Sequence, residues 1–400
     1  MGIYDRLGIR KRVNGAGLLT RLSGSLMPPE VLEAMREAAR SFVDIAELQA
    51  RASQVIAEHT GAEAGLVTTG AAAALTLGTA ACLTGLDAAR MDRLPDTEGM
   101  PNEVLMCRTH RTGYDHAIRA AGARIRDVGF NDRGMGAGVR SVEAWELAAA
   151  ITPTVVAVAY TATPANDPPL HLVAEVAARH RLPVIVDAAA QLPPASNLLR
   201  FVAEGAALVA FSGGKAIRGP QSTGILCGRR DLIAAAVLQQ LDMDVAPETW
   251  DPPESLIPRS AVRGIPHHGL GRGFKVGKEE IVGLLVALER FVKLDPAAEL
   301  EAHEARLEAV ASVLGSVAHV RARLRSARET GRNPLLELAF DEAAIGQTAL
   351  ALSRALQQGD PAVHLSERDA ARGILIVDPS GLQPGDDRVI ASRLRVLLGA

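Results

Sequence analysis

The sequence reads as an α/β protein: a large domain on a mainly parallel sheet, then a smaller C-terminal α/β domain. Three observations carry that reading. Short β-rich runs alternate with helical patterns from about Ala64 to Cys227, two of those runs end in Asp187 and Lys215, and the 400 residues exceed what one hydrophobic core usually serves. Alternation of this kind marks parallel strands joined by helices that cover both faces.

After Pro28-Pro29 the apolar residues Val31, Leu32, Met35, Ala38, Ala39 and Phe42 follow helical spacing. Candidate strands follow at Ala64–Thr68, Val104–Cys107, Arg124–Val128, Val155–Tyr160, Pro183–Val186, Leu208–Phe211 and Gly224–Cys227. Helical patterns lie between them, at Ser141–Ile151 and Leu170–Arg181 for example. The stretch Asp244–Gly277, with Pro247, Pro252, Pro253, Pro258 and Pro266, reads as the crossing between domains. A helix is expected from about Glu279, then strands at Leu335–Phe340, Val363–Leu365 and Ile374–Val377 and a closing helix from Asp386. These elements give an N-terminal arm over 1–25, a large domain over 26–260 and a smaller domain over 261–400 that includes the crossing loop and its helix.

Composition narrows the class. A net charge of -3 offers no electrostatic footprint for nucleic acid, and no nucleic-acid partner is expected. Cys82, Cys107 and Cys227 lie far apart without CxxC spacing, which fits neither a zinc site nor a disulfide framework. His267-His268 has no partner at ligand spacing, so no metal is expected there. The N-terminal residues lack a signal-peptide core, and apolar stretches such as Ala71–Leu83 are too short to span a bilayer. A cytoplasmic protein without a membrane partner is the expectation. No GxGxxG follows the first strand, and Gly134-Met135-Gly136-Ala137-Gly138 is not in a strand-to-helix turn, which disfavours a nicotinamide cofactor.

The chemistry gathers at three strand ends. Ala210-Phe211-Ser212-Gly213-Gly214-Lys215 ends a β run in a hydroxyl, two glycines and an amine, at the sheet edge where open α/β folds bind ligands. Such an amine forms a Schiff base with a carbonyl cofactor, Ser212 suits a phosphate, and the glycines allow close backbone approach. Taken alone, the hexapeptide fits a surface lysine after a turn better than a cofactor anchor. Upstream, Leu182-Pro183-Val184-Ile185-Val186-Asp187 places a carboxylate at a strand end, where it suits a pyridinium nitrogen, a metal or a ribose. Val67-Thr68-Thr69-Gly70-Ala71 passes from strand into helix, offering free N–H groups for an anion or simply a tight junction.

In the order Thr69-Gly70-Ala71, Asp187, Phe211-Ser212-Gly213-Gly214-Lys215 and Gly219-Pro220-Gln221-Ser222-Thr223-Gly224, the sequence resembles the selenocysteine-synthase-like branch of fold-type-I pyridoxal-phosphate (PLP) enzymes. Within it the resemblance is stronger to the D-glucosaminate-6-phosphate ammonia-lyase group. Val13-Asn14-Gly15-Ala16-Gly17 and Gly269-Leu270-Gly271-Arg272-Gly273-Phe274-Lys275-Val276-Gly277-Lys278 support the branch, and the resemblance runs from about Leu7 to the last helix. It implies an aminotransferase-like large domain, pyridoxal 5'-phosphate as cofactor, a small amino-acid substrate and a homodimer or larger homo-oligomer. It also implies Lys215 as the cofactor-bearing and catalytic lysine and Asp187 as the pyridinium partner. Gly70, Ala71 and Ser212 would surround the phosphate, His110 would stack on the ring, and Gln191 would meet the ring hydroxyl. Arg272 and Lys275 are then candidates for substrate anions, with Asn14 contributing from the arm; Arg21, Arg263 and Lys278 are lesser ones. The implied reaction is α,β-elimination from a hydroxylated amino acid to a 2-oxo acid and ammonia, with racemase, aldolase, selenium-transferase and non-catalytic PLP-carrying readings left open. Leu22-Ser23-Gly24-Ser25 departs from the two glycines that often precede the serine in related lyases, which puts the sugar-phosphate substrate in doubt. The selenocysteine synthases resemble this chain only in the core, and they carry an additional N-terminal tRNA domain.

Overall fold

The computed structural model describes residues 2–130 and 141–400, so Gly134 to Gly138 lie outside the described residues. In chain order the strands are β1 (Arg12–Gly15), β2 (Ala64–Thr68), β3 (Glu103–Cys107), β4 (Arg124–Val128), β5 (Val155–Thr161) and β6 (Val184–Asp187). They continue with β7 (Leu208–Ser212), β8 (Gly224–Gly228), β9 (Val320–Arg325), β10 (Leu335–Phe340), β11 (Ala362–Leu365) and β12 (Ile374–Val377). The chain divides into two compact units, 27–292 and 1–26 with 293–400.

In the unit 27–292, seven of the strands form one sheet in the order β2-β8-β7-β6-β5-β3-β4. The pairs from β7 to β4 are parallel, and β8 alone runs antiparallel between β2 and β7. Sheet and helices bury Leu66, Leu77, Val104, Ile185, Leu208 and Leu226 in one core. The helix Gly70–Thr84 is buried almost all round, which requires apolar or small residues on every face. Its small residues bring it close to the sheet: a Cβ on Gly78 would lie 3.2 Å from Leu208 Cδ1. Ala and Gly here take the place of the scarce aromatics.

The second unit has its own core, with Leu307, Leu336, Leu338, Leu352, Leu375 and Leu394 at its centre. A three-stranded antiparallel sheet runs β12-β10-β9, and β1 pairs in parallel with β11. Residues 1–25 are therefore not only an arm, because β1 is a strand of this unit: Val13 lies opposite Val363 and is buried.

The stretch 261–292 also falls differently from the expected boundary at 260/261. It belongs to the unit 27–292. Leu270 and Phe274 pack on the large core, Ile281 and Leu284 are buried, and Gln240 Nε2 donates to Phe274 O at 2.9 Å. Apolar contacts reaching back to earlier helices hold this loop, despite its proline content. No helix among the described residues is long and apolar enough to cross a membrane.

Candidate active site

The sheet register gathers the candidate residues. Asp187 ends β6 opposite Ala210 of β7, and Thr161 of β5 lies opposite Asp187 on the other side. Ser212 ends β7 opposite Gly224, and Gly224 is in turn opposite Thr68 at the end of β2. Asp187, the turn that carries Lys215, and Gly70-Ala71 thus share the carboxyl edge of neighbouring strands, where open α/β sheets bind ligands.

Gly224 makes that closeness possible. A Cβ there would collide with Gly70 and lie 2.6 Å from Ala71 N, so only glycine lets the turn and the helix start approach each other. Gly70 itself has φ +86, a left-handed conformation that side chains disfavour. Thr69 caps the helix without a side-chain hydrogen bond to its first turn, because its hydroxyl donates instead to Phe274 O. First-turn N–H groups so left suit an anion.

Packing also requires glycine at Gly213 and Gly214. Thr223 and Leu284 occupy the Cβ space of Gly213, and the Gln221 backbone that of Gly214. These glycines pack the turn against its own return strand. The turn is closed by Gly213 N–H to Thr223 O at 2.8 Å, Gly219 N–H to Gly213 O at 2.9 Å and Arg218 N–H to Lys215 O at 2.9 Å. Lys215 is half-buried within it.

Asp187 follows the buried run Val184-Ile185-Val186, and its Oδ1 accepts from Ala189 N–H at 3.0 Å. Burial pushes its carboxyl above the usual aspartate range, while the Ala189 N–H and the charge of Lys215 pull it back. A strand-end carboxylate in these surroundings suits a protonated ring nitrogen. Beside it lies a small cavity lined by Thr112, Asp115, Tyr160, Thr161 and Asp187 among others. Asp115 is buried and ion-paired with Arg111, which also meets Asp127 at 2.6 Å. Sequence reasoning passed over Thr161 and Asp115; the former sits at a strand end, a signal that was present.

The other candidates fare unequally. His110 is buried, with Nε2 2.9 Å from Asp167 O and its ring edge-on to Tyr160 at 4.6 Å. Its Nδ1 has no partner among the described residues, and burial holds it below the usual histidine range, hence neutral. Thr161 Oγ1 donates to His110 O at 2.9 Å, which ties that loop to β5. Gln191 Nε2 donates to Ala162 O at 2.6 Å, so its amide braces the loop after β5. Lys275 is exposed, and its carbonyl lies 3.5 Å from Thr69 Oγ1 beside the helix start. Arg272 pairs with Asp242 at 2.6 Å, and Lys278 with Glu279. Asn14, in the other unit, folds its side chain into its own turn: Nδ2 donates to Gly17 O at 3.0 Å and Oδ1 accepts from Ala16 N–H at 3.1 Å.

A half-buried strand-end carboxylate, a lysine turn one strand over and an uncapped helix start fit pyridoxal phosphate at its ring nitrogen, aldehyde and phosphate. The fold and this edge define a fold-type-I PLP enzyme. The structure is similar in fold to an aspartate aminotransferase of Thermus thermophilus, with a TM-score of 0.50 and 16% identity over 98% of this chain and 93% of that one. No family model matches the chain. It is 30% identical to the D-glucosaminate-6-phosphate ammonia lyase of Salmonella typhimurium, over 98% of this chain and 97% of that protein. The solved structure of a D-glucosaminate-6-phosphate ammonia-lyase superposes with a TM-score of 0.80 at 29% identity, covering 100% of this chain and 98% of that one. A Streptomyces 5'-C-glycyluridine monooxygenase-decarboxylase is 31% identical over 99% of this chain and 92% of its own. The chain belongs to the family of the D-glucosaminate-6-phosphate ammonia-lyase, among the fold-type-I PLP enzymes, and is an enzyme.

Proposed function

We propose that this protein is a lyase that removes ammonia from a hydroxylated amino acid, with pyridoxal 5'-phosphate held by Lys215 and Asp187. The observation that supports it most is the register Asp187–Ala210, Ser212–Gly224–Thr68, which brings carboxylate, lysine turn and helix start to one edge. Pyridoxal phosphate supplies an electron sink for the bonds at the substrate Cα.

The chain's own groups do the rest. Asp187 would hold the ring nitrogen of the cofactor and favour its protonated form. The first-turn N–H groups at Gly70 and Ala71, with Ser212, would receive the phosphate, and Lys275 would add positive charge near the helix start. Buried His110 would offer a flat, neutral ring to pack on the cofactor without adding charge. The Lys215 amine, at the same edge, would remove the Cα proton of a bound substrate as general base. Loss of the β-hydroxyl as water, and return of one water to release the nitrogen, gives a 2-oxo acid and ammonia. Active sites in the family are expected to be completed by a second copy of the chain.

Borohydride reduction followed by peptide mapping tests the anchor: the reduced cofactor is expected on Lys215, and Lys215→Ala should lose both label and turnover, by a factor of about a thousand or more. A label elsewhere sinks the assignment. Incubation with D- and L-hydroxy amino acids separates reactions: ammonia with oxo acid supports the lyase, and inverted stereochemistry without ammonia a racemase. The Streptomyces relative adds a second reading, oxidative decarboxylation. Oxygen uptake with release of carbon dioxide would favour it.

A further inference from the structure

The helix Arg230–Gln240 ends against the glycine-rich stretch that carries Arg272 and Lys275. A Cβ on Gly269 would lie 2.6 Å from Gln239 Cα, and one on Gly271 would lie 2.7 Å from Gln239 O. Only glycine lets the two backbones come this close. Two side-chain ties follow. Asp242 pairs with Arg272 at 2.6 Å, and Gln240 Nε2 donates to Phe274 O at 2.9 Å. The same carbonyl accepts the Thr69 hydroxyl. Phe274 O therefore joins the last residue of one helix, the residue that opens helix Gly70–Thr84, and the loop itself.

What this junction holds is Lys275. Its neighbours are fixed, Phe274 by packing on the large core and Val276 by burial, whereas Lys275 is exposed. Its carbonyl lies 3.5 Å from Thr69 Oγ1, one residue before Gly70. Arg272 and Lys278 on either side are already ion-paired, with Asp242 and Glu279. Lys275 meets no acid among the described residues. The Phe274 carbonyl lies in one rigid plane with the N–H and Cα of Lys275, so two donors on that oxygen fix where the lysine side chain departs. Loss of one donor frees the plane to turn, and the ammonium on its four-carbon stem moves with it.

We propose that Gln240 is a positioning residue for phosphate binding: with Thr69 it holds the Phe274–Lys275 peptide so that Lys275 faces the phosphate received at the start of helix Gly70–Thr84. The inference rests on the reading of that helix start as the phosphate site. Gln240 acts through Lys275 and takes no part in the bond changes.

The full chain, stripped of cofactor, would be titrated with PLP and, separately, with pyridoxal, which has the same ring and aldehyde but no phosphate. The ratio of the two dissociation constants isolates the phosphate contribution. Gln240→Met keeps side-chain length and helix propensity and removes the donor. It should weaken PLP binding about fivefold and leave pyridoxal within about twofold. A loss shared equally by both ligands would mean that Gln240 only stabilises the fold, and overturns the proposal. In a Lys275→Met background the effect of Gln240→Met on PLP should vanish, because nothing is left to aim. Persistence of the full effect there overturns it too. Gln240→Leu serves if Gln240→Met folds poorly, and the wild type supplies an independent check. PLP, but not pyridoxal, should shield Lys275 from acetylation, and equal labelling overturns the placement. Wild-type protein that binds PLP no better than pyridoxal sinks the phosphate reading itself. A ratio that favours PLP in the wild type and is unchanged in Gln240→Met sinks only the role of Gln240.

Discussion

Asp187 pays a stability cost that its chemistry requires. Burial raises its carboxyl pKa, so folding disfavours the ionised form. The sign follows: relative to the unfolded chain, the cost is absent below the ordinary aspartate pKa of about 3.9, develops as pH rises from there to the folded value, and is full above it. Cofactor-free Asp187→Asn is therefore expected to melt higher than wild type at pH 7, by about 2 °C, with the gain gone at pH 3. In return the cofactor loses a charge-assisted hydrogen bond, and its affinity should fall roughly ten- to hundredfold. Thermal melts at both pH values and a cofactor titration check the two halves separately. Histidines contribute the opposite slope. Burial lowers His110, and burial with the charges of Arg21 and Arg12 lowers His364. Each favours folding above the ordinary histidine pKa of about 6.5, and that contribution is lost as pH falls toward the folded value. Stability should therefore drop as pH falls below about 6.5, and His364→Gln should flatten that part of the melting curve; an unchanged slope in the variant would assign the loss to other groups.

Close approach between elements is what the edge cluster depends on, and it is testable at Gly224. A methyl group there meets the Gly70 carbonyl carbon and the Ala71 nitrogen, both backbone atoms that cannot swing aside. Gly224→Ala should cost about 1–3 kcal/mol and also weaken cofactor binding, because the helix start must move away from β7 and β8. Denaturant unfolding and a PLP titration would show both; a stable variant with unaltered binding would mean the junction is looser than drawn. Such a contact explains what was and was not legible in the sequence. The runs ending in Asp187 and Ser212 declare themselves by apolar continuity, and Leu335–Phe340 and Ile374–Val377 fall where periodicity puts them. Local pattern determines those. β9 was missed although Val320, Ala322 and Leu324 alternate with arginines, a period-two signal hidden by its charge. β1 has four residues and is a strand only because β11, far along the chain, pairs with it. The return of 261–292 onto the large core, the Asp242 partner of Arg272, and Thr223 filling the space beside Gly213 are all long-range or packing facts. Neither propensity nor spacing encodes them.

Two separate cores in one chain make the cofactor an unequal stabiliser. Asp187, Lys215, Gly70 and Ala71 all belong to the unit 27–292, whereas the core around Leu307, Leu338 and Leu394 belongs to the unit 1–26 with 293–400. A ligand stabilises what it binds in the folded state, by about 2.7 kcal/mol at a hundred times its dissociation constant. That gain falls first on the larger unit. The two tryptophans report on it selectively, since Trp145 and Trp250 both lie within 27–292, while circular dichroism sees helices of both units. Guanidinium unfolding with saturating PLP should therefore move the tryptophan fluorescence midpoint upward and leave an earlier dichroism phase nearly where it was. Lys215→Ala should reduce the fluorescence shift without displacing that earlier phase. A single transition in which both signals move together would show that the units unfold as one, and the cofactor's stabilisation would then be shared through the junction near Lys293.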